Sequence, residues 1–416
     1  MKVCLLTSSF PRYDGDSAGV FLFHLARHLA LKGVEISILA PHDPGCRTFE
    51  SFGKISVRRF PYCIRRRRQR LCYRSGILTN IKSEPRVALQ IPLLFFSELI
   101  WVARLIRTHK IDLVHAHWTF PQGLVAVIAK KLWNIPCVVT LHGSDVHGLK
   151  HPLLKRLNRM VVRLADACTA NSDATRKALG ALDSRSNIGI IPMGVDTGLF
   201  KKTIERTREL RLSVAAGGKL ILYAGRLIHI KGVDRLIHAM SAVIGKYPDA
   251  RLVIVGNGPE KVNLLALSKK LGIEAGTFFF EEMPQTKLAE WYSAADLFVL
   301  PSLQNPSGEK EGQGVVILEA MACGLPVVGS NVGGIPSLVK HEMTGMLANP
   351  GDAKDLFEKI CILLENDGLR DRIIGNARRM VLEQFTWETV AEKFIKTYGT
   401  VVGATSKPGH VRELPG

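Results

Sequence analysis

The stretch LILYAGRLIHIKGVDRLIHAMSAVIGKYPDARLVIVGNG, residues 220–258, reads as strand, helix, strand. LILYAGRL (220–227) is an apolar run that closes on a glycine and a basic residue. GVDRLIHAMSAVIGKY (232–247) reads as a helix, and ARLVIVGNG (250–258) as a second apolar run ending on two glycines. Runs with little polar alternation are expected where helices cover both faces of a parallel sheet. The same grammar continues downstream. KVNLLALSKKLG, GTFFFEEM, KLAEWYSAA and DLFVLPSL alternate helix and strand, a further helix runs to Met321, PVVGSNVGG and MLANPGD follow, and helices continue to about residue 400.

Upstream the pattern is already present once. KVCLLTS (2–8), VEISILA (34–40), IDLVHAH (111–117), PCVVTLHG (136–143) and ACTANS (167–172) read as strands with helices between them, the first being VFLFHLARHLALKG (20–33). NIGIIPMGVDTGLF (187–200) closes this half, and a polar segment, KKTIERTRELRLSVAAGGK, separates it from the next. Two successive β-α-β arrays argue for two doubly wound α/β domains, expected at 1–200 and 201–385. We expect a helix at 386–400 to pack back on the first domain and the tail 401–416 to be disordered. In open sheets of this type ligands bind at the carboxyl ends of strands, so a cleft between two such domains is the default site.

The bulk properties fit this reading. A chain of 416 residues is too long for one compact core. Residues 1–200 hold 29 Lys+Arg against 13 Asp+Glu, a balance of +16, whereas the rest holds 27 against 24, so the net +19 belongs to the first half. A basic surface suits nucleic acid, anionic lipid or phosphorylated substrates, but no nucleic-acid-binding signature accompanies it. Its densest piece is RRFPYCIRRRRQR (58–70). IPLLFFSELIWVARLI (91–106) is shorter than the ~20 residues a membrane span needs and is interrupted by Glu98 and Arg104. It is expected to be a helix with Leu94, Phe95, Leu99, Val102 and Ile106 on one side, either in the core or lying on a bilayer. Eight cysteines without a CxxC pair fit reduced thiols in a cytoplasmic protein, and the N-terminus reads as a buried strand rather than a signal peptide.

The strand ends of the second half collect chemistry. Arg226 and Lys231 follow Gly225 and precede a helix at Gly232, a setting suited to a diphosphate. Gly256 and Gly258 let backbone approach a ligand, though Lys261 spoils a dinucleotide fingerprint. In EGQGVVILEA (311–320), Glu311 stands before a helix expected near Val315 and Glu319 about a turn inside it. The backbone N–H groups at 312–315 then carry partial positive charge while the two carboxylates accept from sugar hydroxyls. Two carboxylates so spaced suit a polyol better than a metal.

Taken in order, IPMGVD…F (from 191), YAGRL…KG (from 223) and E-x7-E followed by AMACGLPVVGS (311–330) resemble the retaining glycosyltransferases of family 4, with GT-B architecture, over nearly all of residues 1–400. The resemblance implies a metal-independent sugar transfer with no cofactor beyond the nucleotide-sugar donor. It implies that Arg226 and Lys231 bind the donor diphosphate, that Glu311 with the amides of Gly312, Gln313, Gly314 and Val315 holds the sugar, and that Glu319 holds the ribose. His142 would sit near the anomeric centre, Gly19 near the phosphates, and Gly256 and Met283 on the donor. Asp145 and His117 are candidates for acceptor contact. Gln313 stands where many members have Phe or Leu. The implied acceptor is a glycan or lipid-linked molecule of cell-surface polysaccharide or glycolipid synthesis. The basic first half, the arginine run and the amphipathic segment add the expectation that it is met at the inner face of a membrane, with residues 58–70 and 91–106 as the candidate membrane surface.

Other readings compete with these. A nucleotide-sugar epimerase of the same plan would need acid/base carboxylates that are not evident, and a non-catalytic nucleotide-binding scaffold would not need Glu311, Glu319, Arg226, Lys231 and His142 intact. Asp14-Gly15-Asp16 resembles a metal-binding DxD but lies in a loop of the wrong fold. His115 and His117 point to one side of a strand without an evident third metal ligand. Asn171 and Ser172 are expected to cap the helix that follows them.

Overall fold

The computed structural model describes residues 1–73, 76–143, 151–180, 188–203, 207–215, 217–306 and 308–405. The chain forms two compact units. The first comprises Met1–Asn171, Arg176–Ile191 and the chain from Val390 onward; the second comprises Ser172–Thr175 and Pro192–Thr389.

The first unit is built on eight strands: β1 (Lys2–Leu6), β2 (Glu35–Pro41), β3 (Phe49–Phe52), β4 (Ile55–Phe60), β5 (Leu113–His117), β6 (Cys137–Leu141), β7 (Ala167–Ala170) and β8 (Ile188–Ile190). Their order is β3-β4-β2-β1-β5-β6-β7-β8, parallel except for the β3–β4 hairpin. Strands β5 and β6 are buried along their whole length, as their lack of alternation requires. The first helix, Val20–Leu31, turns Leu22, Leu25, Ala26 and Leu29 into the core, the one-sided spacing of a surface helix.

Two features of this unit correct the sequence reading. In the helix Ile91–His109 the buried residues are Leu94, Glu98, Val102 and Leu105; Phe95, Leu99 and Ile106 are only partly covered. The face is therefore rotated and takes a carboxyl inward, with Glu98 receiving Gln122 Nε2 at 3.5 Å and burial raising its pKa well above the usual carboxylate range. Within the basic stretch, Arg59 is not a solvated charge. It is buried, pairs with Glu50, and donates to the carbonyls of Arg47 (3.0 Å) and Pro11 (2.5 Å), fastening the edge hairpin to the loop after β1. Asp16 is likewise held by Arg12 (2.7 Å) and by the N–H of Ala18 (3.2 Å), so its carboxylate is committed within the loop.

Among the described residues the second unit has six strands: β9 (Leu220–Ala224), β10 (Arg251–Val255), β11 (Thr277–Phe280), β12 (Leu297–Leu300), β13 (Val327–Ser330) and β14 (Met346–Ala348). All pairings are parallel, in the order β11-β10-β9-β12-β13-β14. The chain starts in the middle, steps outward one way, then returns and steps outward the other way. Between β9 and β12 the winding reverses, and it is at the carboxyl ends of strands at such a point that open α/β sheets bind ligands. The helix Val233–Lys246 covers one face through Val233, Leu236, Ile237, Met240 and Val243.

This unit takes up the chain at Pro192 rather than at 201, for reasons 120 and 190 residues away in sequence. The buried Gln313 side chain pairs with the backbone of Met193, and Val195 N–H donates to Phe385 (2.8 Å). Conversely, the long helix Trp387–Thr405 enters the first unit from Val390. There Tyr398 hydrogen-bonds His115, Phe394 packs on its ring, and Glu392 pairs with Lys32.

Candidate active site

Two loops meet at the reversal point of the second sheet. One leaves β9 at Gly225 and carries Arg226 and Lys231; the other leaves β12 at Pro301 and carries Ser302 and Glu311. Lys231 Nζ lies 2.5 Å from Glu311 Oε2, and Ser302 Oγ donates to the same oxygen at 3.1 Å. Burial alone would raise the Glu311 pKa. The charge and hydrogen bond of Lys231, the Ser302 hydroxyl and the charge of Arg226 outweigh it, and the carboxyl titrates below its ordinary range. Glu311 is therefore an ionised acceptor at neutral pH. The Arg226 side chain is exposed, and its carbonyl accepts from the buried Tyr223 hydroxyl at 3.0 Å, which fixes the backbone that presents it.

Behind Glu311 the helix Val315–Ala322 begins where the sequence predicts. Gly314 caps it in the left-handed region (φ 82°), where a side chain is strained. Among the described residues the N–H groups of Gly312, Gln313, Gly314, Val315 and Val316 have no acceptor. They form an unsatisfied donor array at the positive end of the helix dipole. Gln313 itself is turned away. Its Oε1 accepts from Met193 N–H (2.8 Å) and its Nε2 donates to Met193 C=O (3.1 Å), so only its backbone N–H is left to serve a ligand. Ser172 Oγ, which caps its own helix by accepting from Thr175 N–H, donates to Gly312 C=O at 2.7 Å and steadies the loop from outside. The Asn171 side chain donates to His142 C=O at 3.2 Å.

Glu319 lies inside the helix and is buried. Tyr292 donates to its Oε2 at 3.0 Å and Gln285 approaches Oε1 at 3.5 Å. Burial dominates and pushes its pKa up to about 7, against which these two hydrogen bonds work. Gly256, at the end of β10, is pressed against the Arg226 loop. A β-carbon there would stand 1.9 Å from Gly225 O, and φ is 151°. Met283, after β11, packs its side chain against the core of this unit. The structure thus brings Arg226, Lys231, Glu311, the amides of 312–315 and Gly256 to one strand-end edge. Ser302, Tyr223, Tyr292 and Gln285 join them although nothing in their local sequence singles them out. Among the described residues no group of three His, Cys, Asp or Glu side chains is arranged to hold a metal ion.

In the first unit the equivalent edge holds imidazoles. His117 Nδ1 and His142 Nε2 are 3.0 Å apart, with the rings stacked at 25°. Phe21, two residues after Gly19, packs its ring 5.1 Å from His142, and Trp118 lies 4.8 Å from it. Gly19 caps the first helix in the left-handed region, its Cβ position 2.4 Å from Ser9 O. His115, behind His117 at 4.3 Å between ring centres, is bound at both nitrogens, to Tyr398 and to Thr140, each at 2.7 Å. Burial lowers the pKa of His115 and His142 to about 3 and that of His117 well below the usual value, with neighbouring imidazoles adding to the effect on His117 and His115. The three rings are a neutral hydrogen-bonding cluster. Asp145 lies outside the described residues.

Two Rossmann-like units, the second with a lysine–carboxylate pair and free backbone N–H groups at its strand-end edge, are the plan expected of a GT-B glycosyltransferase. Comparison with known proteins agrees. The profile of the "Glycosyl transferases group 1" family matches residues 208–380, and that of "Glycosyltransferase Family 4" matches 18–199. An N-acetyl-alpha-D-glucosaminyl L-malate synthase from Bacillus anthracis is 30% identical over 304 residues, 72% of this chain and 76% of that protein. A D-inositol 3-phosphate glycosyltransferase from Thermobispora bispora is 27% identical over 92% of this chain and 90% of its own length. Among solved structures, a sucrose-phosphate synthase from Thermosynechococcus elongatus superposes with a TM-score of 0.80 at 22% identity, covering 97% of this chain and 99% of that one. Anabaena HepE in complex with UDP gives 0.76 at 23%, covering 96% of this chain and 100% of that one. Both show the fold. The chain belongs to the family 4, group 1 glycosyltransferases and is an enzyme of that class.

Proposed function

We propose that the protein moves a sugar, with retention of configuration and without a metal ion, from a nucleoside diphosphate sugar to a hydroxyl of a glycan or lipid-linked acceptor. The product belongs to cell-surface polysaccharide or glycolipid, assembled at the cytoplasmic face of a membrane, a reducing location that suits eight unpaired thiols. One observation carries the reading: at the sheet's reversal point, Lys231, Ser302 and Glu311 are hydrogen-bonded together beside five backbone N–H groups that have no acceptor among the described residues.

Arg226 and Lys231 supply the positive charge that a metal supplies elsewhere. They bind the diphosphate and stabilise the charge it gains on leaving. Glu311 accepts from sugar hydroxyls, the amides of 312–315 donate to ligand oxygens, and Glu319 accepts from the ribose. The bond from the anomeric carbon to the diphosphate oxygen breaks with its electron pair going to the diphosphate. The acceptor oxygen bonds to the same face, and its proton passes to the departing diphosphate oxygen. Neither carboxylate is poised as a nucleophile, since Glu311 is engaged by Lys231 and Ser302 and Glu319 by Tyr292 and Gln285. His142 is kept neutral and serves the sugar as a hydrogen-bonding group. The solved complexes of HepE with UDP and UDP-glucose make uridine donors the first to try.

The names of the curated relatives favour a second acceptor class, a small anionic molecule such as malate or inositol 3-phosphate. The basic first half suits either class. A screen of UDP-, GDP- and ADP-sugars by thermal shift, run in EDTA, identifies the donor, because a ligand of the folded state raises the Tm. With that donor, Lys231→Ala should weaken nucleoside diphosphate binding on the order of tenfold or more, and Glu311→Gln should cut kcat by about a hundredfold or more. Wild-type turnover in Glu311→Gln would sink the assignment, and loss of activity in EDTA that a divalent cation restores would sink metal independence.

A further inference from the structure

The first unit carries a surface that its fold leaves uncovered. The segment Pro85–His109 is helical throughout, its most apolar 18-residue window has a mean hydropathy of 1.6, and only 22% of that window is buried. A core helix would be mostly covered. Leu89, Leu93, Phe96 and Ile100 are 79, 51, 60 and 53% exposed. The spacing of three and four residues sets Leu93, Phe96 and Ile100 along one side of the α-helix, and Leu89 precedes them in the 3-10 turn Pro85–Gln90. The other side, Leu94, Glu98, Val102 and Leu105, is sealed in the core, so the segment cannot leave the fold to span a membrane without exposing that core and Glu98 to lipid.

Beside it stands the arginine turn. Gln69 is buried and anchors it: Oε1 accepts from Tyr62 N–H at 2.8 Å and Nε2 donates to His42 C=O at 3.0 Å. Gln90, at the start of the helix, grips the same turn from the other side, donating to Arg68 C=O (2.9 Å) and accepting from Arg70 N–H (3.2 Å). With residue 69 drawn inward, Arg65–Arg68 and a fully exposed Ile64 project outward next to the apolar stripe. Among the described residues none of Arg65–Arg68, Arg86 or Arg107 has a carboxylate partner.

We propose that this surface docks the protein on an anionic phospholipid bilayer, with the helix lying in the interface, Leu89, Leu93, Phe96, Ile100 and Ile64 entering the acyl boundary, and Arg65–Arg68 meeting the phosphates. Apolar side chains flanked by unpaired arginines are the combination an interface selects; a polyanion alone would need only the arginines, and a second copy of this chain would have to match that positive charge with charge of the same sign. The proposal rests on the functional reading only for where the acceptor is met.

The test is co-flotation with vesicles of pure phosphatidylcholine and of phosphatidylcholine with phosphatidylglycerol, in low and high salt. Wild type should float with the anionic vesicles alone, and less in high salt. Replacing Arg65 to Arg68 by Gln should lower the partition coefficient on the order of a hundredfold or more, and Leu93→Ser with Phe96→Ser about tenfold or more. All six residues are exposed, so thermal shift by the nucleotide donor should be unchanged in both variants. Failure of wild type to float, or equal flotation of the variants, overturns the proposal. Binding lost with the arginines but kept without Leu93 and Phe96 would mean a polyanion site and overturns it too. So does a dimer in sedimentation that the Leu93/Phe96 variant breaks while vesicles go unbound. Vesicle binding without any nucleotide-sugar response would sink the functional reading and leave the surface standing.

Discussion

Replacing Glu319 by glutamine should make the protein more stable, and more so the higher the pH. In the folded chain burial holds this carboxyl at about 7, whereas an unfolded glutamate titrates at 4.5. The folded state therefore binds the proton more tightly. Between these two values the native chain holds more protons than the unfolded one, so stability falls as pH rises and reaches its low plateau above 7. The cost of ionising Glu319 in place is about 3 kcal/mol at pH 8.5 and about 1 kcal/mol at pH 5.5, by linkage from those two pKa values. The difference is about 2 kcal/mol. Glutamine has no such term, keeps an oxygen for the Tyr292 hydroxyl, and matches the volume. The Tm of Glu319→Gln minus that of wild type should thus grow by about 4–8 °C between pH 5.5 and 8.5. Every other titrating group is common to both proteins and cancels. Thermal unfolding by circular dichroism in matched buffers, without nucleotide, reads the difference directly. An offset that stays constant across pH, or one that shrinks as pH rises, would show that Glu319 is not held protonated by burial and would remove the reasoning.

Two further outcomes follow from the same geometry. Gln313→Ala should cost about 2–4 kcal/mol in urea unfolding, because it strands the buried N–H and C=O of Met193; a cost under about 0.5 kcal/mol would mean the pairing is dispensable. For His142, burial keeps the imidazole neutral above pH about 3, so kcat/KM for transfer should show no inflection between pH 5 and 8 that His142→Asn removes. An inflection near 6.5 in wild type, absent from the variant, would mean the ring titrates.

The sheets were legible because their strands are apolar on both faces, and a period-free run such as LILYA has few alternatives when Gly225 ends it and a helix follows. The start of the helix at Val315 was legible for a similarly local reason: Gly312 and Gly314 interrupt the chain just before a continuous apolar stretch. What periodicity could not show is decided by partners far away in sequence. Nothing in IPMG announces that Met193 will be paired by Gln313, 120 residues on, within the unit that takes up the chain again at Pro192. Nothing in IDLVHAH announces that the hydroxyl filling His115 comes from Tyr398, 283 residues later. Glu98 was legible only as an interruption of an apolar run. Its side-chain partner in the core, Gln122, lies outside the helix and so outside its pattern.

The same distinction explains how the donor edge can exist before any donor arrives. Lys231 and Glu311, taken singly, would each be an uncompensated charge on a mostly covered side chain, at a cost of several kcal/mol. Paired at 2.5 Å they neutralise one another, and Ser302 satisfies a further lone pair of the carboxylate. The five amides of 312–316 face a weaker version of the same problem, and the helix dipole makes an anion or hydroxyl oxygen their natural partner. On the proposed reading, a nucleoside diphosphate sugar would resolve both at once: its phosphates would give the lysine a second anion, its hydroxyls would give the glutamate new donors, and its oxygens would meet the amides. Each interaction is then exchanged rather than lost, so the lysine–glutamate pair serves as the resting state of the site rather than a competitor for its ligand.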